Sequence, residues 1–380
     1  MENKKYNRFI VKNIESWLYK NKVIIIYGPR RVGKTTISKY LNDKFGTQTS
    51  YINCDILEVQ KKLQVLDPIS LRSFLGDGKF FILDEAQNVP NIGKTLKLLI
   101  DTYPEIQIIA TGSSSFDLVN KLGEPLTGRS ITFYLYPLSI LETIEGLRAE
   151  SIANKIEESM IYGSYPEIVS SESLINKKIL LQEVVNSYLY KDILTYDGIK
   201  KPALVVDILK MLALQIGNGV SFNEIATALG VARATIERYI DILEKVFIIK
   251  SISAYNKNLR NEISKKKKYY FYDLGIRNTL INNFNDLSER NDVGYIWENY
   301  AVMERLKFIK NNNMFYTTYF WRNQLGAEID YIEESGGELY CYEFKYNKKL
   351  SKIPIAFDKE YKPSKFIIIN KDNLIDEFLK

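Results

Sequence analysis

The chain has 380 residues, which is more than one hydrophobic core usually serves, so two or three domains are expected. Its 46% hydrophobic and 26% charged residues are ordinary for a globular protein and far from a disordered or membrane-embedded one. Residues 1–20 lack the apolar centre of a signal peptide, and no run approaches a membrane span. We therefore predict a cytoplasmic protein without a membrane partner.

The available side chains limit the chemistry. Cys54 and Cys341 are the only cysteines and there is no histidine, which excludes a disulfide framework, Cys/His zinc sites and catalytic triads that use histidine. Carboxylates, lysines and backbone amides must do any chemistry. The net charge of +6 would suit a polyanionic partner, but over this length it is more typical of solvated surface lysines.

The first 150 residues alternate short apolar runs with segments of helical period. The predicted strands are residues 22–28, 49–55, 79–85 and 106–112, and the predicted helices begin near Lys34 and near residue 92. Buried strands separated by helices indicate a parallel α/β sheet with helices on both faces. We assign residues 1–150 to this first domain.

The second half changes character twice. Residues 151–204 are predicted to form a helical connector. Residues 205–252 hold two short amphipathic helices joined by a turn at Gly230, with Ser221 placed to cap the first and a strand-like wing after the second. Strand and helix patterns alternate again from residue 253 to residue 380, which predicts a second α/β domain.

A phosphate-binding loop is predicted at Gly28–Thr35, because GPRRVGKT follows a strand and opens a helix. Gly28 and Gly33 would let the backbone wrap a phosphate, Lys34 would reach the β- and γ-phosphates of ATP, and Thr35 would ligate Mg²⁺. The alternative is a glycine-containing turn with a surface lysine. The rest of the predicted nucleotide-binding set is Pro29, Arg30, Arg31, Val32, Thr36 and Ser113, with Arg30 and Arg31 facing solvent or a partner.

Two carboxylates end the predicted strand FFILDE. We predict Asp84 as a metal residue and Glu85 as the general base that orients or deprotonates the attacking water. Thr111 or Ser113, at the end of the next strand, could bond the γ-phosphate or its water, although polar residues are common at strand ends. Arg129 is a candidate to neutralise transition-state charge, in its own subunit or a neighbour's, and a surface arginine is the equal alternative.

Acidic residues also mark the C-terminal strands. Asp330 lies on one predicted strand, and Glu343 and Lys345 share one face of the next because strand side chains alternate. Asp330 and Glu343 could hold Mg²⁺, Lys345 could polarise a phosphodiester, and Glu298 on a helix is a further candidate catalytic acid. An exposed strand with alternating charge would give the same letters.

These motifs carry two family resemblances. IIIYGPRRVGKTT, FFILDEAQ, IIATGSSS and LTGRSITFYLYPLSILE resemble the archaeal and bacterial AAA-type ATPases related to STAND signalling ATPases. FYDLGIR, YIWENYAVMERL, YFWRNQLGAEIDYI and CYEFKY resemble the domain of unknown function that follows such ATPases, whose fold is similar to PD-(D/E)XK restriction-endonuclease-like nucleases. Together the two resemblances cover most of the chain.

The first resemblance implies ATP binding and hydrolysis on Gly33, Lys34, Thr35, Asp84 and Glu85. It also implies a winged helix at about 205–252.

The second resemblance maps a nuclease motif onto Glu298, Asp330, Glu343 and Lys345, in the expected order. The proline of the motif's name is absent, because Ile329 precedes Asp330.

Basic residues allow for a nucleic-acid partner. Arg233, Arg238 and Lys245 lie on the second helix of the winged-helix segment, although Tyr239 and its apolar neighbours predict a packed helix. The run from Lys265 to Lys268 could contact phosphates but is more typical of a solvated turn. The leading hypothesis is an ATP-driven switch that binds or processes double-stranded DNA and self-associates through its ATPase domain. A signalling scaffold with a protein partner is the competing class.

Overall fold

We describe the protein from a computed structural model, which covers residues 6–45, 49–112, 126–187, 201–256, 267–348 and 350–380. The chain divides into two compact units. The first comprises residues 7–137 with 245–247, and the second comprises 138–244 with 248–380. In the described ranges, no helix combines the length and the apolar character that crossing a bilayer requires.

A five-stranded parallel sheet forms the centre of the first unit, with strand order β2-β3-β4-β1-β5. The strands are β1 (Val23–Tyr27), β2 (Thr49–Asn53), β3 (Phe80–Asp84), β4 (Gln107–Gly112) and β5 (Ser130–Tyr134). The helices are α1 (Ile10–Glu15), α2 (Lys34–Phe45), α3 (Leu57–Leu63), α4 (Pro68–Leu75) and α5 (Ile92–Thr102). Every residue of β1, β3 and β4 is buried, which explains why apolar residues predominate in these strands. The predicted parallel α/β domain is confirmed.

Helices begin the second unit. They are α6 (Ile140–Thr143), α7 (Ala149–Tyr162), α8 (Pro166–Ser170), α9 (Leu174–Ser187) and α10 (Pro202–Leu214). The predicted helical character of residues 151–204 is confirmed for the described part.

The next segment alternates helices and strands in the order α10, β6 (Gly219–Val220), α11 (Phe222–Leu229), α12 (Arg233–Lys245), β7 (Ile249–Ala254) and β8 (Lys267–Phe271). The Ser221 side chain accepts a hydrogen bond from the Glu224 amide at the start of α11. Gly230 ends α11 with φ of 64°, a left-handed conformation that glycine adopts without strain. The predicted cap and turn are both confirmed.

A seven-stranded mixed sheet runs through the second unit in the order β12-β11-β10-β9-β7-β8-β6. The later elements are α13 (Leu274–Leu280), α14 (Val293–Asn311), β9 (Thr317–Arg322), β10 (Glu328–Ser335), β11 (Glu338–Phe344), α15 (Ile355–Tyr361) and β12 (Lys365–Ile369). Strand β7 pairs with β8 on one side and with β9 on the other. The predicted domain boundary after residue 252 therefore falls inside β7, and the four-part domain division stays a prediction.

Candidate functional site

The phosphate-binding loop leads from β1 into α2 and folds around the ammonium group of Lys34. Lys34 is the first residue of α2 and is buried. Its Nζ donates hydrogen bonds of 2.8 Å to the backbone oxygens of Gly28 and Pro29. The lysine is thus folded back over the loop, with the amino end of α2 beside it as an anion-binding terminus.

The two loop glycines serve different purposes. Gly33 has φ of +100°, which side-chain-bearing residues rarely adopt. At Gly28, a Cβ atom would lie 2.1 Å from the Leu135 backbone oxygen, just after β5. The sequence predicts that both glycines make room for phosphate. At Gly28, however, a side chain is excluded by the backbone of Leu135.

The side chain of Arg8 anchors the phosphate-binding loop, a role that the sequence did not reveal. Arg8 is buried, and its Nη1 donates to the Val32 oxygen at 2.8 Å while its Nη2 donates to the Tyr136 oxygen at 2.6 Å. The guanidinium therefore ties the loop to the segment that follows β5. A lone arginine ahead of the first helix matches no motif, so only the tertiary structure identifies it.

Asp84 accepts hydrogen bonds from three hydroxyl groups. Thr35 Oγ1 donates to Asp84 Oδ2 at 2.9 Å, the Tyr51 hydroxyl donates to the same oxygen, and Thr111 Oγ1 donates to Oδ1. Tyr51 pairs with Ile82 in the β2–β3 register. Asp84 lies two residues after Ile82 and so shares its face of the sheet. Burial and the hydrogen bond to Asp84 raise the pKa of Tyr51. The sequence predicted Thr35 and Asp84 each as a magnesium residue, but it did not reveal Tyr51.

These oxygen atoms suit a magnesium ion. Mg²⁺ prefers hard oxygen ligands, and the adjacent Thr35 hydroxyl and Asp84 carboxylate supply them. The residues present therefore fit the Mg²⁺ that accompanies ATP in phosphate-loop proteins.

Glu85 sits at a strained position directly after β3. Its φ of 53° is left-handed, an uncommon conformation for a residue with a side chain. The Glu85 amide donates to Thr111 Oγ1 at 3.2 Å, and the Gln87 side-chain amide donates to Glu85 Oε2. Gln87, which sequence reasoning did not single out, thus fixes the orientation of the carboxylate.

The other predicted nucleotide-binding residues differ in exposure. Pro29 and Val32 are buried, Arg30 is half-buried, and Arg31 and Thr36 are exposed. Ser113 lies outside the described residues. Thr111, its alternative at the end of β4, bonds both Asp84 and Glu85 as described above.

Arg129 lies at the opposite edge of the sheet from the phosphate-binding loop. Ser130, the next residue, pairs with Val23 at the start of β1, whereas the loop follows the end of β1. Five strand residues separate the two edges by about 16 Å. Arg129 Nε instead forms a 2.6 Å ion pair with Asp101, and both side chains are 41% exposed. The structure therefore does not bring Arg129 to the phosphate-binding loop of its own chain.

The C-terminal candidates do come together in the second unit. Lys345 Nζ lies 2.6 Å from Glu343 Oε1, and the Phe344 amide donates to Asp330 Oδ2 at 2.8 Å. Burial raises the pKa of Asp330, and burial followed by the charge of Asp330 raises the pKa of Glu343. Asp330, Glu343 and Lys345, which follow one another in the predicted motif, are therefore close together in space.

A buried lysine joins this cluster, which corrects the predicted solvated turn. Lys268 lies in β8 with only 1% of its surface exposed. Its Nζ is 2.8 Å from Glu298 Oε1 and also pairs with Glu328, while the Tyr270 hydroxyl donates to Glu298 at 2.7 Å. Burial raises the pKa of Glu298 to about 7, despite the nearby ammonium. Lys265 and Lys266 lie outside the described residues. Lys268 and Tyr270 are two residues apart in β8, so their polar groups lie on one face of the strand. This spacing was the sequence signal for the cluster.

Most of the first unit matches a known protein family. Residues 20–144 match the family described as an AAA domain, and two domains of unknown function match residues 153–287 (DUF8612) and 293–378 (DUF4143). Residues 20–144 are thus similar to AAA domains, and the two segments that follow are similar to families that carry no assigned function.

Relatives span most of the chain. An uncharacterized protein of Mycobacterium tuberculosis is 26% identical over 86% of this chain and 71% of its own length. An uncharacterized protein of Methanocaldococcus jannaschii is 26% identical over 97% of this chain and 86% of its own. Among solved structures, the Thermotoga maritima RuvB Holliday junction branch migration motor is 16% identical over 64% of this chain and 89% of its own, with a TM-score of 0.34. The Aeropyrum pernix ORC1 protein in complex with DNA is 12% identical over 74% and 94%, with a TM-score of 0.31.

Proposed function

We propose that the protein binds and hydrolyses ATP in its first unit. The observation that carries this proposal is the 2.9 Å pairing of Thr35 with Asp84 beside a buried Lys34 at the amino end of α2. A loop of this sequence and backbone conformation offers several amides and one ammonium group to a triphosphate.

Substrate binding would use charges that are already in place. The Lys34 ammonium would exchange the carbonyl oxygens of Gly28 and Pro29 for phosphate oxygens, which are stronger acceptors because they are charged. Thr35 and Asp84 would hold Mg²⁺, which neutralises charge on the β- and γ-phosphates when bound. Arg8 would keep the loop in position through the Val32 oxygen.

Glu85 is our proposed general base. The Gln87 amide orients its carboxylate, and the left-handed backbone turns the residue away from the line of β3. A carboxylate in this place would accept a proton from the attacking water as the water adds to the γ-phosphate. Thr111 or Ser113 would bond the γ-phosphate or that water.

Arg129 is proposed to act only in trans. Because its own sheet separates it from the phosphate-binding loop, it would have to reach the γ-phosphate of a neighbouring copy, and this role requires self-association through the ATPase domain.

The central experiment measures phosphate release from ATP by the purified protein. We expect Lys34→Ala to lower turnover by roughly 100-fold or more, because the ammonium stabilises transition-state charge. The matched control is Lys61→Ala, which removes an exposed lysine from α3. Equal turnover by the Lys34 variant and the unmodified protein would refute the proposal.

The second candidate function couples nucleotide state to double-stranded DNA. The helix–strand–helix–helix–strand–strand order of residues 202–271 favours the proposed winged helix. On α12, Arg233 and Arg238 are exposed while Tyr239 is buried, so one face is available for phosphates and the other is packed. Arg233 already pairs with Glu237 at 2.8 Å, which weakens its share.

A salt titration of DNA affinity tests this candidate. Phosphate contacts release counterions, so affinity should fall steeply with salt, and Arg238→Ala should reduce the slope by about one. Lys210→Ala, which removes an exposed lysine from α10, is the matched control. Absence of binding at low salt would favour the competing hypothesis, a signalling scaffold whose second unit binds a protein.

A further inference from the structure

The acidic cluster of the second unit contains its own cations. Here the cluster means Glu298, Glu328, Asp330 and Glu343. Lys268 reaches Glu298 and Glu328, and Lys345 reaches Glu343. Arg322 also lies 3.7 Å from Glu328. Each of these three acids is thus in ion-pair distance of a basic side chain.

Lys268 reaches the cluster from a distant strand. Its strand, β8, is separated from β10 by β7 and β9 in the sheet order. The Lys268 ammonium lies 5.4 Å from the centre of the Phe320 ring on β9, so its stem crosses the sheet over that ring. Tyr270, two residues further along β8 and on the same face, adds a hydroxyl to Glu298. The geometry is fixed by two donors from one strand.

A buried lysine in this place is costly unless its charge is needed. Moving an ammonium out of water is unfavourable, and only close carboxylates offset the cost. Burial lowers the pKa of Lys268, but the charges of Glu298, Glu328 and Asp330 more than reverse this effect and raise it. The ammonium therefore stays charged and offsets negative charge on the carboxylates of the cluster.

Any divalent cation at this cluster would have to use two carboxylates, Asp330 and Glu343, because no larger group of ligands is present nearby in the described ranges. In the stretches that the structure describes, no three acidic or cysteine side chains are grouped so that they could hold a metal ion. A nuclease of this general architecture needs carboxylates that share a divalent cation. Asp330 and Glu343 do not fit that ion, because the charges of Lys268 and Lys345 act on Asp330 and Lys345 also pairs with Glu343.

We propose that the ammonium of Lys268 replaces a divalent cation in this cluster, so that the C-terminal domain keeps the architecture of a nuclease without a metal site. The cluster then acts as a charge-compensated support between α14 and the sheet, and the domain does not cleave phosphodiesters. This inference does not depend on ATP hydrolysis by the first unit.

Manganese binding, followed by electron paramagnetic resonance on the nucleotide-free full chain, tests the proposal. We expect Asp330→Asn to leave Mn²⁺ binding of the otherwise unmodified protein unchanged. Lys268→Met, which keeps the stem and removes the charge, should gain one Mn²⁺ per chain, and adding Asp330→Asn should abolish that gain. Lys268→Arg, which keeps the charge, should gain none.

Three results would overturn the proposal. One is a Mn²⁺ affinity of the unmodified protein that Asp330→Asn weakens tenfold or more, and this comparison holds whether or not Lys268→Met folds. Another is a folded Lys268→Met protein that gains no site. Plasmid nicking by the unmodified protein with Mg²⁺ or Mn²⁺ that Asp330→Ala abolishes would likewise refute it.

Discussion

The two units each gather carboxylates at a strand end, yet they surround them with different partners. At Asp84, the donors are the hydroxyls of Thr35, Tyr51 and Thr111, which are neutral. At the C-terminal cluster, the partners are the ammonium groups of Lys268 and Lys345. Hydroxyl donors orient a carboxylate and leave its negative charge for a metal, whereas a buried ammonium uses that charge up.

On our proposals, the partners of the carboxylates distinguish a metal site from an acidic cluster that only resembles one. The spacing of acidic residues is suggestive in both units, so spacing alone does not discriminate. The two groups of carboxylates differ in how much positive charge other elements of the same unit place beside them. Four measurements test whether the two groups of carboxylates differ in this way.

Glu85→Gln should have the largest effect. We expect turnover to fall about 100- to 1,000-fold while ATP binding is retained, because the amide cannot accept the proton of water. Single-turnover hydrolysis and equilibrium binding of ATP measure the two properties separately. Unchanged hydrolysis would remove Glu85 from its proposed role, and lost binding would show that the side chain holds the site together.

Glu298 should make the stability of the second unit depend on pH. Burial raises the pKa of folded Glu298 to about 7 although Lys268 opposes the shift, whereas an unfolded glutamate releases its proton near pH 4.3. The folded state binds more protons in that window, so the unfolding free energy should fall as pH rises, by up to about 3 kcal/mol. Glu298→Gln should remove this component. Denaturation followed by the fluorescence of Trp297 and Trp321 would show it, and equal slopes for both proteins would contradict it.

Tyr51→Phe should have a moderate effect on the ATP site. The variant loses one hydrogen bond from a hydroxyl to a charged carboxylate, which is worth about 1.5 kcal/mol. We therefore expect the Mg²⁺ concentration that gives half-maximal turnover to rise roughly tenfold. Tyr40→Phe, an exposed tyrosine on α2, is the control. A magnesium titration that is identical for Tyr51→Phe and the unmodified protein would show that Tyr51 does not position Asp84.

Arg129→Ala should have the smallest effect in a single copy. Its exposed ion pair with Asp101 contributes below about 1 kcal/mol to stability. We expect turnover to fall only at protein concentrations at which copies associate, and Asp101→Ala should not share this behaviour. A loss of turnover that persists on dilution to monomers would contradict the role in trans.

The proposed ATP site was largely predictable because its parts are local. Gly33, Lys34 and Thr35 are consecutive, and the apolar run before Asp84 predicts β3 within one residue of its bounds. Parallel strands then place the ends of β1 and β3 at one edge of the sheet, as the pattern of the sequence implies. Arg8 and Tyr51 escaped because each meets the site through a contact between residues 24 or more positions apart.

The sequence by itself determined the parallel sheet of the first unit, the phosphate-binding loop and the order of acids in the second unit. These follow from hydrophobic period and from short motifs, which are properties of neighbouring residues. Only the tertiary structure decided which cation each acid meets. Lys268 lies 30 residues before Glu298 in the chain, and an ammonium and a carboxylate attract each other through space, regardless of how far apart the sequence places them.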